Sequence, residues 1–175
     1  MSTELPSDDI AVWNHLVESH KTFAMASREF LAGGVDRVQL MHYALNGKDR
    51  PTAIYMLSYL KASELQQLFS DLVFLASFSH GAIGAVRSAI LSLPRQWVLT
   101  NIEQIAEPLL HDGTYDEYRR LLELYIDLDY DLAFRLARKA TEQTDEDIRE
   151  AGTDFLDRLD QHLNITTRLC ITTRF

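Results

Sequence analysis

A single cysteine, Cys170, in a chain of 175 residues excludes an internal disulfide framework and a cysteine-based zinc site. That suits a reducing compartment, and a cytoplasmic protein is expected. Only seven glycines and four prolines are present, few for an all-β chain built on tight turns. Long hydrophobic runs are also missing. The longest uncharged stretch, residues 72–86, is interrupted by Ser77, Ser79, His80 and Gly81, whereas a membrane-spanning helix needs about 20 predominantly apolar residues. The first nine residues are acidic and polar, without the basic start and apolar core of a signal peptide. Secretion is therefore not expected, and Asn164-Ile165-Thr166 reads as a chance glycosylation pattern. Positive charge is scarce. There are 17 basic against 26 acidic side chains, a formal net charge of −9. Residues 114–160 alone hold 14 acidic and 7 basic groups. Phosphate backbones and anionic bilayers attract the opposite pattern, a basic stripe, so neither nucleic acid nor membrane is expected as a partner.

What is present is an ordinary globular mix, 46% hydrophobic and 25% charged, with helical apolar spacing nearly throughout. Ile10, Trp13, Leu16/Val17, Phe23/Ala24 and Phe30/Leu31 share one face of a first helix. Ser7-Asp8-Asp9 supply its N-cap candidates and Gly33-Gly34 its stop. A shorter helix over residues 36–45 ends at Asn46-Gly47. These two form an N-terminal pair, residues 9–46, expected to cap the remaining helices. Pro51 to Lys61 reads as a helix with proline in its first turn. Ser63-Glu-Leu-Gln66 looks like a capping box opening the next. Val86, Ala89/Ile90 and Leu93 mark another, and Pro94 begins its partner, which Pro108 is expected to kink or close. Thr114-Tyr-Asp-Glu117 is a second capping box. Asp129 caps a helix with Leu132, Leu136 and Ala140, and Thr144/Asp145 cap a last one carrying Ile148, Ala151, Phe155, Leu159 and Leu163.

A period emerges from residue 50 onward. Ile54, Val86, Tyr118 and Ile148 take the same place in successive helices, about 32 residues apart, and three of them precede an arginine: Arg87, Arg119 and Arg149. Trp97 and Tyr130 keep step in the second helices. Two helices per period mean stacked hairpins, each completing its neighbour's core. Residues 51–110 carry only seven charges, as units covered on both sides require. The expected architecture is all-α: about nine helices in a short, right-handed-type α-solenoid of antiparallel hairpins. It would form one domain over residues 1–163, with the repeats over 50–163 and a non-amphipathic tail over 164–175.

The stretch Asp145-Glu-Asp-Ile148-Arg149-Glu-Ala151-Gly-Thr-Asp-Phe155-Leu156-Asp-Arg-Leu159 resembles the HEAT-repeat signature, and Gly84-Ala-Val86-Arg87-Ser-Ala89-Ile90-Leu91 is a fainter copy. The resemblance covers roughly residues 50–160. It implies the solenoid fold and is nearly silent on function. An aspartate six residues before the arginine, common in that family, is replaced here by Gly81, Gly113 and Gln143, which argues against a regular Asp–Arg ladder.

No catalytic motif is found, and neither a metal nor a cofactor is expected. Asp127-Leu-Asp129-Tyr-Asp131 begins like a calcium loop, but Leu132 stands where its glycine belongs and Arg138 where its glutamate belongs. His15 and His20 are five apart and diverge around a helix instead of sharing a face. Tyr115, Tyr118, Tyr125 and Tyr130 cluster among acids and arginines. Tyr118 and Tyr125 are expected in the core, which leaves Tyr130, Arg135 and Arg138 as a surface of the kind enriched at protein contacts. The unpaired last helix adds Phe155 and Leu159 as an apolar edge through which two copies could dimerise. The expectation is a non-enzymatic interaction module whose protein partner carries a basic patch. The alternatives are a ligand carrier or enzyme, since some HEAT-like proteins are bilin lyases or DNA glycosylases, and a structural or sensor segment of a larger assembly.

Overall fold

The computed structural model describes the backbone of residues 6–172 and the side chains of residues 6–161. Among the described residues the chain is helical, with no strand. The helices are α1 (Ser7–Ala32), α2 (Arg37–Leu45), α3 (Arg50–Met56), α4 (Ala62–Gln67), α5 (Phe69–Ala76), α6 (Ile83–Leu91), α7 (Arg95–His111), α8 (Tyr115–Leu128), α9 (Tyr130–Thr141) and α10 (Glu146–Thr172). A short 3-10 turn, Leu57–Tyr59, follows α3. Ten helices stand where about nine were expected, because the helix expected from Ser63 is split at Leu68 into α4 and α5.

Several helix ends follow from local chemistry. The Thr114 hydroxyl accepts from the Asp116 N–H at 3.3 Å while Glu117 accepts from the Thr114 N–H at 2.8 Å, so the capping box opens α8 as expected. Asp129 serves two helices at once. Its N–H donates to the Tyr125 carbonyl at 2.8 Å, closing α8, and its Oδ1 accepts from Asp131 and Leu132, opening α9. Asp145 accepts from the Ile148 N–H at 3.1 Å and opens α10. Gly33 stops α1: its N–H donates to the Glu29 carbonyl at 2.9 Å, and a Cβ there would meet that oxygen at 3.1 Å.

Other ends differ from expectation. Pro6 precedes α1, so Asp8 and Asp9 lie inside the first turn, where their charge complements the helix dipole instead of capping it. The box near Ser63 is shifted: Glu64, not Gln66, reaches back, accepting from the Lys61 N–H at 2.8 Å. Glu64 is held there because Arg37 of α2 also donates to it, at 2.7 Å. Pro108 does not end α7, which continues to His111. The backbone of α10 runs on to Thr172, past the expected end at Leu163. No glycine or proline lies between Leu163 and Thr172 to stop it. The side chains of His162, Leu163 and Cys170, and residues 173–175, lie outside the described residues.

The core runs along the chain from Met41 to Leu159. Ile54, Val86, Tyr118 and Ile148, the four period positions, are all buried. Neighbouring helices supply the cover: α5 packs on α6 and α7, α7 on α8, α8 on α9, and α10 on both α8 and α9. Phe155 and Leu159 are 1% and 3% exposed. The apolar edge expected on the last helix is therefore not open, since α9 and α8 cover it within the same chain. Arg158 lies over the Phe155 ring at 4.9 Å.

Candidate interaction surfaces

The face expected to carry contacts is built on α9 and α7. Arg135 donates to both carboxylate oxygens of Glu103, at 3.1 and 2.8 Å, and Lys139 reaches Glu107 at 2.6 Å. Each pair joins α9 to α7 across 32 residues. Arg135 is thereby half committed to its own fold, and its guanidinium is held above its ordinary pKa, first by the Glu103 hydrogen bond. Beneath the two pairs lies a small cavity of about 120 Å³ bordered by Leu110, Tyr125 and Leu136. Tyr125 is buried, which pushes its phenol up, and the nearby Glu103 adds to the shift. Tyr118 is buried too, so both tyrosines expected in the core are there. Tyr130 is exposed. Arg138 is exposed and makes no side-chain hydrogen bond or ion pair among the described residues. Of the five residues singled out in the sequence, Tyr130, Arg135 and Arg138 lie on α9, while Phe155 and Leu159 are core.

The arginines that follow the period positions divide by role. Arg87 of α6 crosses to α8, donating to the Arg120 carbonyl at 2.7 Å and to Glu123 at 2.9 Å. Arg149 turns back to the Gln143 and Thr144 carbonyls. Arg119 stays on α8 with the Tyr115 hydroxyl, at 2.6 Å. Of these three arginines, Arg87 alone ties one helix to another, α6 to α8. Arg95 takes a similar part, donating to the Leu128 carbonyl at 3.0 Å and pairing with Asp129.

These bonds account for Asp129 within the acidic run at 127–131. Both Asp129 oxygens are engaged, Oδ1 with two backbone N–H groups and Oδ2 with Arg95. Its carboxyl is held below the usual aspartate value, first by the Leu132 amide and then by Arg95 and the Asp131 amide, against the opposing effect of desolvation. A depressed folded pKa contributes stability that is present above the ordinary value of 3.8 and lost as pH falls through the folded value. We therefore expect Asp129→Asn to melt below the wild type at neutral pH, with the gap closing as pH drops below about 3.8. Melting temperature against pH measures it, and a gap independent of pH would refute this account. Among the described residues no group of three histidine, cysteine or acidic side chains is placed to hold a metal ion.

A second surface lies at the N-terminal end, on the apolar face of α1 that the sequence pattern marks. There α1, α2 and α3 enclose an apolar groove of about 460 Å³. Phe23 and Phe30 of α1, Leu40 and Met41 of α2, and Ala53 and Met56 of α3 line it. Phe23 meets Tyr55 edge-on at 5.2 Å. Beyond the groove α1 continues with Ile10, Trp13 and Leu16 exposed to 44%, 63% and 58%. Periodicity places these on an apolar face, and that much holds, but nothing among the described residues covers them. Tyr43 is more exposed still. Its position beside the groove has no signal in the apolar spacing.

The fold and these surfaces define an all-helical protein, among whose described residues no helix is long and apolar enough to cross a membrane. No family profile, curated protein or solved structure matches the chain.

Proposed function

We propose that the chain is a non-enzymatic protein-interaction module, a short α-solenoid of HEAT-like hairpins that binds through its N-terminal apolar surface. The observation that carries this reading is the continuous stripe of Ile10, Trp13 and Leu16 leading into the groove at Phe23 and Phe30. Contiguous exposed apolar surface of this kind marks contact sites, and Trp is prominent among hot-spot residues.

The solenoid part is supported by which helices are bonded together. Arg87 ties first helices, α6 to α8, across 33 and 36 residues. Arg135 and Lys139 tie second helices, α7 to α9, across 32. First helices on first and second on second is the stacking that such an array requires. The acidic surface of α8–α10 supports a partner with a basic patch, for which binding should weaken as salt rises.

Affinity capture of the tagged chain from its native lysate tests the reading, with Trp13→Asp as the control. Trp13 is exposed, so the substitution leaves the core intact. A protein partner lost in this variant is expected. A partner kept by Trp13→Asp but lost on Arg138→Glu would move the contact to α9. A stoichiometric small molecule in place of any protein would overturn the module in favour of a ligand carrier or bilin-lyase-like enzyme, for which the same groove is large enough.

A further inference from the structure

α1 is 26 residues long and buries no side chain fully. Helices in proteins owe most of their stability to packing of an apolar face, and only the second half of α1 has such cover. Phe23, Phe30 and Leu31 touch the core, whereas Ile10, Trp13 and Leu16 stand in solvent. We infer that α1 of a second copy covers this face, running antiparallel so that the exposed half of each helix docks on the groove-lining half of the other. The inference rests on the interaction reading and names its occupant.

The pattern of α1 is self-complementary under a two-fold axis. In an antiparallel pair, positions that face each other have a constant sum. With His20 at the axis, Ile10 faces Phe30, Trp13 faces Ser27, Leu16 faces Ala24 and Val17 faces Phe23. The largest side chain thus meets a small one, with Ala26 beside it in the groove lining. The Ser27 hydroxyl already donates to the Phe23 carbonyl at 2.8 Å, so an indole laid on it strands no donor.

The acidic first turn of α1, with Asp8 and Asp9, favours the antiparallel sense. A parallel arrangement would instead set Asp8 and Asp9 against their own equivalents and align the two dipoles unfavourably. The extent also suffices. A helix of 26 residues runs about 39 Å. With a contact strip roughly 15–20 Å wide, including the groove edge, each copy would bury about 600–800 Å², close to the ~800 Å² per partner of stable complexes.

Sedimentation equilibrium of the full chain over about a hundredfold range of concentration is the first test, and a monomer–dimer equilibrium is expected. Trp13→Asp should weaken it by at least about a hundredfold, because the change enters the interface twice. In a Cys170→Ser background, His20→Cys should give a disulfide-linked dimer under mild oxidation. Met25→Cys, on the opposite side of α1, should not. A monomer at every concentration overturns the inference, and so does a dimer indifferent to Trp13→Asp. The two readings separate cleanly. A monomer that loses a foreign protein on Trp13→Asp sinks self-pairing and leaves the interaction module standing, while cross-linking through position 20 upholds self-pairing whatever the lysate returns.

Discussion

Gly152→Ala is expected to lower the unfolding free energy by about 2–3 kcal/mol, the upper part of the range for overpacking a close-fitted core. On an open helix the same change would raise it by about 1 kcal/mol, because alanine is the better helix former. The sign is decided by what stands opposite. A Cβ at Gly152 would lie 2.7 Å from the Ala137 carbonyl oxygen, 2.8 Å from the Thr141 nitrogen and 2.9 Å from the Ala140 Cβ. Two of the three are backbone atoms of α9 and cannot rotate away. α10 would have to move outward, loosening Ile148, Phe155 and Leu159 together, since all three are buried against the same layer. Urea denaturation measures the effect. An unchanged or raised midpoint would show that α9 and α10 cross less closely than the structure has them.

Much of this packing was legible in the sequence. The spacing of 32, 32 and 30 residues picks out Ile54, Val86, Tyr118 and Ile148, and each is buried, because apolar periodicity reports directly on which face of a helix is covered. The Thr114–Glu117 box and the Asp129 and Asp145 caps are readable because capping is local chemistry, set within three or four residues. The splitting at Leu68 and the 3-10 turn at Leu57–Tyr59 are not. They interrupt helices in segments with no glycine or proline to announce a break.

The surfaces are harder to read, for a single physical reason. Periodicity says that a face is apolar and not what lies against it. Phe155 and Leu159 carry the same helical signal as Ile10 and Trp13, yet α9 covers the first two and nothing among the described residues covers the others. Arg135 has the look of a free surface arginine because its partner, Glu103, lies 32 residues earlier on α7. That signal was available: Glu103 with Arg135 and Glu107 with Lys139 are opposite charges at one shared spacing of 32 residues, the inter-helix counterpart of a charge pair one turn apart.

Tyr118→Ala should cost about 3–5 kcal/mol, the range for truncating a fully buried aromatic side chain, and the manner of the loss bears on the fold. Tyr118 is 1% exposed in the first half of α8, and α8 packs on α5, α6, α7, α9 and α10. In a stacked array stability is a sum over units and their nearest-neighbour interfaces. A cavity in α8 should therefore weaken the α8–α9 hairpin and its two neighbours before it reaches α2 and α3, whose buried Met41, Leu45 and Ile54 lie far along the chain. Hydrogen exchange under native conditions resolves this. Protection should fall most across residues 83–160 and least across 37–60, with the denaturant transition broadened. A uniform drop in protection along the whole chain would mean one indivisible core instead of a run of coupled hairpins, and the solenoid reading would fail with it.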